Sequence, residues 1–132
     1  MLFPFFFTEE EEREYFENLR KEEQKYNKRV IQDIAPKVVI TKKIPITWAL
    51  AINLFNKVYA RRELTDIELQ HETIHSLQMK KLGYTKFYIT YLYEWIRNYR
   101  KCKNWFVAYK NISFEKEAYT YQSDIDYIVN ML

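Results

Sequence analysis

The sequence predicts an α+β fold, a single mainly helical domain over residues 1–132 with a small sheet of two or three strands. A chain of 132 residues suits one domain that buries its own core. Only one residue is glycine, which disfavours a sheet-rich fold with many tight turns. Aromatic residues make up 18% of the chain, so large flat side chains must build much of the interior.

The first helix is predicted from about residue 9 to about residue 29. Thr8 and Glu11 have the spacing of a capping box, and acidic residues fill the first turn, where the helix dipole favours them. The apolar residues of this segment form a thin stripe: Tyr15, Phe16, Leu19, Tyr26 and Val30. We therefore expect this helix to be a scaffold element.

Residues 37–60 are predicted to supply the sheet. Three runs favour β-structure, 38–40, 46–49 and 58–60, and Pro45 and polar residues separate them. The intervening stretch 50–55 is a short apolar run without clear alternation, which fits a buried strand or a short helix equally.

Three further helices are predicted after the sheet. Thr65 and Glu68 repeat the capping-box spacing and Gly83 is a plausible stop, which together indicate a helix over residues 66–82. Residues 84 to about 100 carry aromatic side chains at helical spacing. A last helix, capped by Ser113, carries one apolar stripe: Phe114, Ala118, Tyr121, Ile125 and Ile128.

Charge and cysteine content indicate which binding partners and which cellular location the sequence favours. The net charge of +3 does not call for nucleic acid as a partner. A single cysteine, Cys102, cannot form an internal disulfide, which favours a cytoplasmic location. Residues 1–7 are apolar but lack a basic leader and a cleavage site, so they do not fit a signal peptide. We expect no membrane span and allow peripheral membrane contact.

The segment from His71 to His75 reads HETIH, an HExxH motif within the predicted helix 66–82. Histidines four residues apart lie on one helix face, where both can bind one metal ion. Glu72 would lie beside the open position of the metal and take the proton of a bound water. The alternative is a chance match on a core-facing helix. These are the only two histidines in the chain, and burying both without a partner would be costly, which favours the metal site.

A catalytic zinc usually takes three protein ligands, so a third donor must lie elsewhere in the fold. Since no third histidine exists, a carboxylate is the natural donor. Glu115 and Glu117 are both candidates, because they lie at the start of a helix expected to pack against the motif helix.

The pattern HETIHSLQ at residues 71–78, followed by FEKEAY at residues 114–119, resembles small bacterial peptidases of the gluzincin type. Their signature is an HExxHxxQ helix and a later helix that reads FE(R/K)EAY. The resemblance implies a minimal zincin-like core and a zinc metallopeptidase acting on peptides or proteins. It also implies Glu115 as the third ligand, with Glu117 as the runner-up. Tyr119 stands where many relatives have Asp or Asn to orient a histidine, and could do so only through its hydroxyl.

The resemblance also implies a substrate-binding strand ahead of the motif helix. In gluzincins an edge strand pairs with the extended substrate, and residues 58–61 are the matching candidate here. A donor for the oxyanion of the transition state must be a Tyr or Arg, and Tyr119 and Tyr121 lie nearest to the proposed ligand.

Two rival functions follow from the same sequence. One is a non-catalytic zinc-binding module with a regulatory or interaction role, although structural zinc sites usually use several cysteines. The other is a nucleic-acid or membrane-surface binder, built on basic and aromatic residues in one segment. These residues, which also fit a solvated basic helix end, are Trp95, Arg97, Tyr99, Arg100, Lys101, Lys103, Trp105 and Lys110.

Overall fold

The computed structural model describes residues 8–46 and 49–132. It has the predicted α+β fold, with helices in the majority and one small sheet. In chain order the elements are α1 (Glu9–Ile34), β1 (Lys37–Ile40), β2 (Ala51–Leu54), β3 (Lys57–Ala60), α2 (Asp66–Leu82), α3 (Tyr84–Cys102), α4 (Trp105–Lys110), α5 (Ser113–Tyr121) and α6 (Ile125–Asn130).

The sheet is mixed, and its strand order is β1-β3-β2. β1 runs parallel to β3, and β2 runs antiparallel to it, with Asn53 opposite Val58. Phe55 and Asn56 connect β2 to β3, both with positive φ, as a two-residue hairpin turn requires. β3 is therefore the central strand. The expectation that residues 58–61 form an edge strand is wrong, and the edge strand of the hairpin is β2.

The strand predicted at 46–49 is not present at the two of its residues that the structure describes. Ile46 and Ala49 are not in a strand, and residues 47 and 48 lie outside the described part of the chain. The guanidinium of Arg61 donates hydrogen bonds to four backbone carbonyl oxygens, two within this segment and two just before it: those of Ile46, Ala49, Lys42 and Ile44. A side chain thus binds the carbonyl groups that a neighbouring strand would otherwise bind. The second strand forms instead at 51–54, within the stretch that fitted strand or helix equally.

α1 begins at the predicted capping box and extends five residues beyond the predicted end. Both reciprocal bonds between Thr8 and Glu11 are present. The extra turn carries Ile31, which is buried against Ile74 and Ile128. The helix ends where Ala35 takes an extended conformation, as expected for a residue that precedes a proline.

The predicted last helix is two helices, and its cap differs from the expectation. Asp124 caps α6 by accepting a hydrogen bond from the backbone of Tyr127, which separates α6 from α5. Ser113 is the first residue of α5 rather than its cap, and Glu94 of α3 accepts hydrogen bonds from its backbone N–H and hydroxyl. α4 was not predicted. It starts at Asn104, whose side chain accepts from two backbone N–H groups.

The main core lies where α1, α5 and α6 pack on α2. Its buried members are Ile31, Ile74, Leu77, Ala118 and Ile128. A hydrogen bond of 2.7 Å from Asn27 to Asp126 joins α1 to α6 at the edge of this core. The opposite side of α2 faces β2 and α3, and this is the side that carries the candidate site. Within the described residues, no helix is long and apolar enough to cross a membrane.

Candidate metal centre

α2 is the central helix of the molecule, and every residue from Gln70 to Met79 is buried. Its first turn has the predicted capping box: Thr65 accepts from the backbone of Glu68, and Glu68 accepts from the backbone of Thr65. On the sheet side, the Asn53 amide donates to the carbonyl of Glu72 at 3.1 Å and to the hydroxyl of Ser76 at 2.9 Å. These two bonds fix β2 over the HExxH segment.

The two histidines and Glu115 come together beside α2. The Nε2 atoms of His71 and His75 are 3.1 Å apart. The Glu115 carboxylate is 3.2 Å from Nε2 of His71 and 3.1 Å from Nε2 of His75. All three residues are buried, and the group could hold a metal ion. Glu117, the other candidate for the third ligand, instead accepts a hydrogen bond from Gln78.

The three separations fit a tetrahedral metal site. Zinc–nitrogen bonds of about 2.0–2.1 Å at tetrahedral angles put two ligand atoms roughly 3.3 Å apart. The two Nε2 atoms are 3.1 Å apart, and each lies at a similar distance from a different oxygen of Glu115, His71 at 3.2 Å from Oε2 and His75 at 3.1 Å from Oε1. Each separation is close to the tetrahedral value, and one ligand atom from each residue can be chosen so that all three lie within 4.8 Å of one another. Two imidazole nitrogens and one carboxylate also match the donor types of a catalytic zinc site with an open fourth position. The residues present therefore fit the metal that the motif implies.

Two glutamine side chains bind the histidine rings at Nδ1, the nitrogen that does not face Glu115. Nδ1–H of His75 donates to Oε1 of Gln78 at 2.8 Å, and Nδ1–H of His71 donates to Oε1 of Gln122 at 3.0 Å. With the proton on Nδ1, the lone pair of each ring lies on Nε2, which is the atom turned toward Glu115. Gln78 also donates to the carbonyl of Phe114, so it joins α2 to α5.

Gln122 takes the role that the resemblance would give to residue 119. The Tyr119 ring lies edge-on against the His71 ring, with centroids 4.5 Å apart, and its hydroxyl lies 3.3 Å from that of Tyr109. Its hydroxyl therefore does not orient the histidine. Gln122 follows Glu115 by seven residues, two turns of α5 later, and only this spacing in the sequence could have indicated it.

Tyr91 is a further site residue that the sequence did not indicate. Its hydroxyl donates to Oε1 of Glu115 at 2.9 Å, so the third ligand is held by α3 as well as by its own helix. One tyrosine among twelve carries no distinguishing signal, because its role depends on how α3 crosses α5.

Glu72 is buried beside the histidines and lines a cavity. Burial raises the pKa of its carboxyl above the ordinary value, although the neighbouring His75 and His71 act in the opposite direction. A carboxylate with a raised pKa accepts a proton more readily than an exposed one, which is the property that a general base needs.

Without a metal, His75 and Glu115 form a buried ion pair. Burial acts to lower the pKa of His75, but the Glu115 carboxylate outweighs it and raises this pKa to about 9. Burial acts to raise the pKa of Glu115, but His75 and His71 outweigh it and lower this pKa well below its usual range. Glu115 is therefore ionised, the form that binds a cation.

A cavity of about 460 Å³ opens beside the cluster, between β2, α2, α3, α4 and α5. Its walls are mostly apolar and aromatic, and include Leu54, Tyr88, Trp95, Phe106 and Tyr109. Such a cavity is large enough for one bulky side chain or a short peptide segment. Oδ1 of Asn53, also in the wall, is a buried acceptor with no partner among the described residues.

The two tyrosines considered as oxyanion donors occupy different places. Tyr119 lines the cavity, close to His71. Tyr121 stacks on Tyr127, with ring centroids 3.6 Å apart, and packs against the main core. Of the two, Tyr119 alone lies beside the metal-ligand residues.

Comparison of the chain with protein-family models, with curated proteins and with solved structures finds no match.

Proposed function

We propose that this chain is a zinc-dependent peptidase of the gluzincin type, with His71, His75 and Glu115 as metal ligands and Glu72 as general base. One observation carries the proposal. Two histidine nitrogens and a carboxylate, all buried, lie within 4.8 Å of one another, beside a second buried glutamate in a cavity wall. The residues that would hold the ion and the residue that would move the proton thus share one enclosed space.

Zinc is the metal that suits this donor set best. Imidazole with a single carboxylate is typical of catalytic zinc, whereas magnesium and calcium prefer oxygen ligands throughout. When bound, zinc supplies Lewis-acid polarisation of the scissile carbonyl and of a water molecule. Gln78, Gln122 and Tyr91 keep the three ligands oriented for it.

The chain's own residues then account for the proton transfers of peptide hydrolysis. Glu72 takes a proton from the attacking water, and it later delivers that proton to the departing amine. The raised pKa of Glu72 suits both directions of transfer. Tyr119, in the cavity wall next to His71, is our candidate donor to the oxyanion.

The substrate proposed is an extended peptide that pairs with β2, the edge strand of the hairpin. β2 lines the cavity along its whole length and is fixed to α2 through Asn53. Pairing through main-chain hydrogen bonds accepts many sequences, and the aromatic wall favours a bulky apolar side chain near the cleaved bond.

Glu72→Gln separates catalysis from metal binding. The variant keeps its zinc, because Glu72 is not a ligand, and loses hydrolysis by about 10²–10⁴-fold, because the base is gone. The measurement is the zinc content of purified protein together with cleavage of a broad peptide mixture.

Matched variants at the two glutamates test the ligand assignment. Glu115→Gln should lose zinc, whereas Glu117→Gln should retain it, since Glu117 binds Gln78 instead. Zinc-loaded wild type that cleaves no peptide would overturn the peptidase and leave the non-catalytic zinc-binding module. Full hydrolysis by Glu72→Gln would also overturn the mechanism.

A further inference from the structure

α3 presents an exposed apolar face that packs against no other described element. Of its 19 residues, only Phe87 is buried. Exposed apolar residues recur every three or four positions on one side, so they form a continuous stripe. Ile89 is 65% exposed, Leu92 55%, Tyr93 63% and Ile96 40%. We call this stripe the outer face of α3.

Basic residues frame the outer face. Lys86 lies near one end, Arg100 near the other, and Arg97 along one side, all exposed. Residues 84–112 contain six cationic residues and one acidic residue, a net charge of +5. Because the whole chain carries +3, the rest of it carries −2. The acid, Glu94, is mostly buried; it accepts a hydrogen bond from Ser113, and its other oxygen lies 3.6 Å from the guanidinium of Arg97.

α4 extends this surface. Trp105, Phe106 and Val107 are 49%, 50% and 42% exposed. α4 is held on α3 by a hydrogen bond from the Trp95 indole to the carbonyl of Trp105 and by stacking of Tyr99 on Trp105, with centroids 3.8 Å apart. These contacts hold α4 on α3, so its exposed apolar residues lie next to the basic and apolar residues of α3.

We propose that the outer face of α3, with α4, docks on an anionic membrane surface. An amphipathic helix with large apolar residues and a basic border lies in the plane of the lipid headgroups, with its apolar side in the acyl boundary. Each Lys or Arg near such a surface adds attraction to anionic lipid. The helix lies on the membrane and does not span it, in agreement with its length and composition.

Two other occupants fit the surface less well. A nucleic acid would need free aromatic faces on which to stack bases, but Tyr99 and Trp105 stack on each other. Antiparallel packing of a second copy of the chain would put Lys86 close to Arg100 of the other α3, and parallel packing would put the two Arg100 side chains together. Repulsion between like charges opposes both arrangements, whereas anionic lipid headgroups would pair with these cationic side chains.

This surface is distinct from the metal centre, and the proposal does not depend on peptidase activity. The opposite side of α3 carries Phe87 and Tyr91, which contact the histidine and glutamate ligands. α3 therefore separates its own outer face from the site by one helix diameter, roughly 10 Å, whereas Phe106 of α4 lies at the cavity wall.

The first test is co-sedimentation of the full chain with vesicles of phosphatidylcholine containing about 30% phosphatidylglycerol. Binding is expected, with little binding to pure phosphatidylcholine. A charge variant, Lys86→Gln with Arg100→Gln, should bind about thirtyfold more weakly. Its matched control, Lys25→Gln with Arg29→Gln, makes the same charge change on exposed positions of α1 and should bind like wild type.

An apolar variant distinguishes insertion from simple charge attraction. Ile89→Ser with Leu92→Ser should bind about tenfold more weakly, since the acyl boundary no longer receives two large side chains. Phe16→Ser with Leu19→Ser changes residues of similar exposure on α1 and should have no effect. Thermal unfolding of each variant shows that the fold is kept.

Three results would overturn the proposal. The first is no binding to the anionic vesicles, and the second is equal weakening by the α1 controls. The third is self-association or oligonucleotide binding that the apolar variant abolishes while vesicle binding persists.

Discussion

At the scale of single residues, two glutamine amides orient the histidines of the candidate metal site, a role that carboxylates often have in metal sites. Gln78 and Gln122 accept from Nδ1 of the two histidines and so turn both Nε2 atoms toward Glu115. A neutral amide oxygen fixes the ring and its tautomer without adding negative charge to a buried site that already holds Glu72 and Glu115.

Removal of one amide should therefore weaken metal binding. We expect Gln122→Ala to lower zinc affinity by about 10–100-fold, since His71 loses its orienting partner. Tyr119→Phe should leave zinc affinity close to wild type, because its hydroxyl binds Tyr109 and not the histidine. Competition with a chromogenic chelator measures both. A larger loss for Tyr119→Phe than for Gln122→Ala would contradict this assignment.

Glu68 makes the stability of the molecule depend on pH. Hydrogen bonds from Arg62, and more weakly from the Thr65 backbone, lower its pKa from 4.5 to about 2, against the opposing effect of burial. A carboxyl whose pKa is lower in the folded state stabilises the fold above its unfolded pKa, and this contribution is lost as pH falls from about 4.5 toward 2.

We therefore expect Glu68→Gln to destabilise the protein at about pH 7 and to have a smaller effect near pH 2.5. The measurement is urea denaturation at several pH values. Arg62→Gln should reproduce the change, since it removes the main partner. A difference from wild type that stays constant across this pH range would show that the Arg62–Glu68 pair does not cause it.

At the scale of elements, the sequence predicts correctly those features that depend on contacts between residues close together in the chain. α1 and α2 begin where predicted, because a capping box is a contact over three residues. Ile46 and Ala49 are not in a strand, and Arg61, more than ten residues away, binds the carbonyl groups of both. The third ligand depended on the resemblance, since nothing local distinguishes Glu115 from Glu117. Gln122 and Tyr91 depend on how α5 and α3 cross α2, which no local pattern contains.

The junction of α2 and α3 depends on the one glycine of the chain. Gly83 has φ of 82° and ψ of 152°, a region that is essentially closed to other residues. An added Cβ would meet no atom within 4 Å, so a substitution costs only backbone strain. We expect Gly83→Ala to lower the free energy of unfolding by about 1–3 kcal/mol, measured by urea denaturation. Lys81→Ala, in the last turn of α2, is the control and should change it little.

At the scale of the whole molecule, α1 and α6 close the core against which the candidate site is built. α6 has six residues, yet Ile128 is fully buried between α1 and α2. α2 therefore has the core on one side and the candidate metal site on the other. Stability of the site and stability of the fold are linked through a single helix.

Ile128→Ala should thus destabilise the entire domain, by about 2–5 kcal/mol, because it leaves a cavity at the centre of the core. Leu132→Ala, at a position that is 59% exposed, should have almost no effect. Chemical denaturation monitored by fluorescence and by circular dichroism should give one shared transition for each variant. Separate transitions would mean that α6 unfolds independently of the rest.

The two hydrogen bonds that Asn53 makes to α2 have a consequence for what the proposed peptidase can admit. They hold β2 at a constant distance from α2, so this wall of the cavity cannot move away without breaking both. An extended, unfolded stretch of polypeptide is narrow enough to enter such a cavity, whereas a folded domain is not. The proposed peptidase is thereby suited to unfolded termini and disordered loops of other proteins, and folded proteins would be too wide to reach the site.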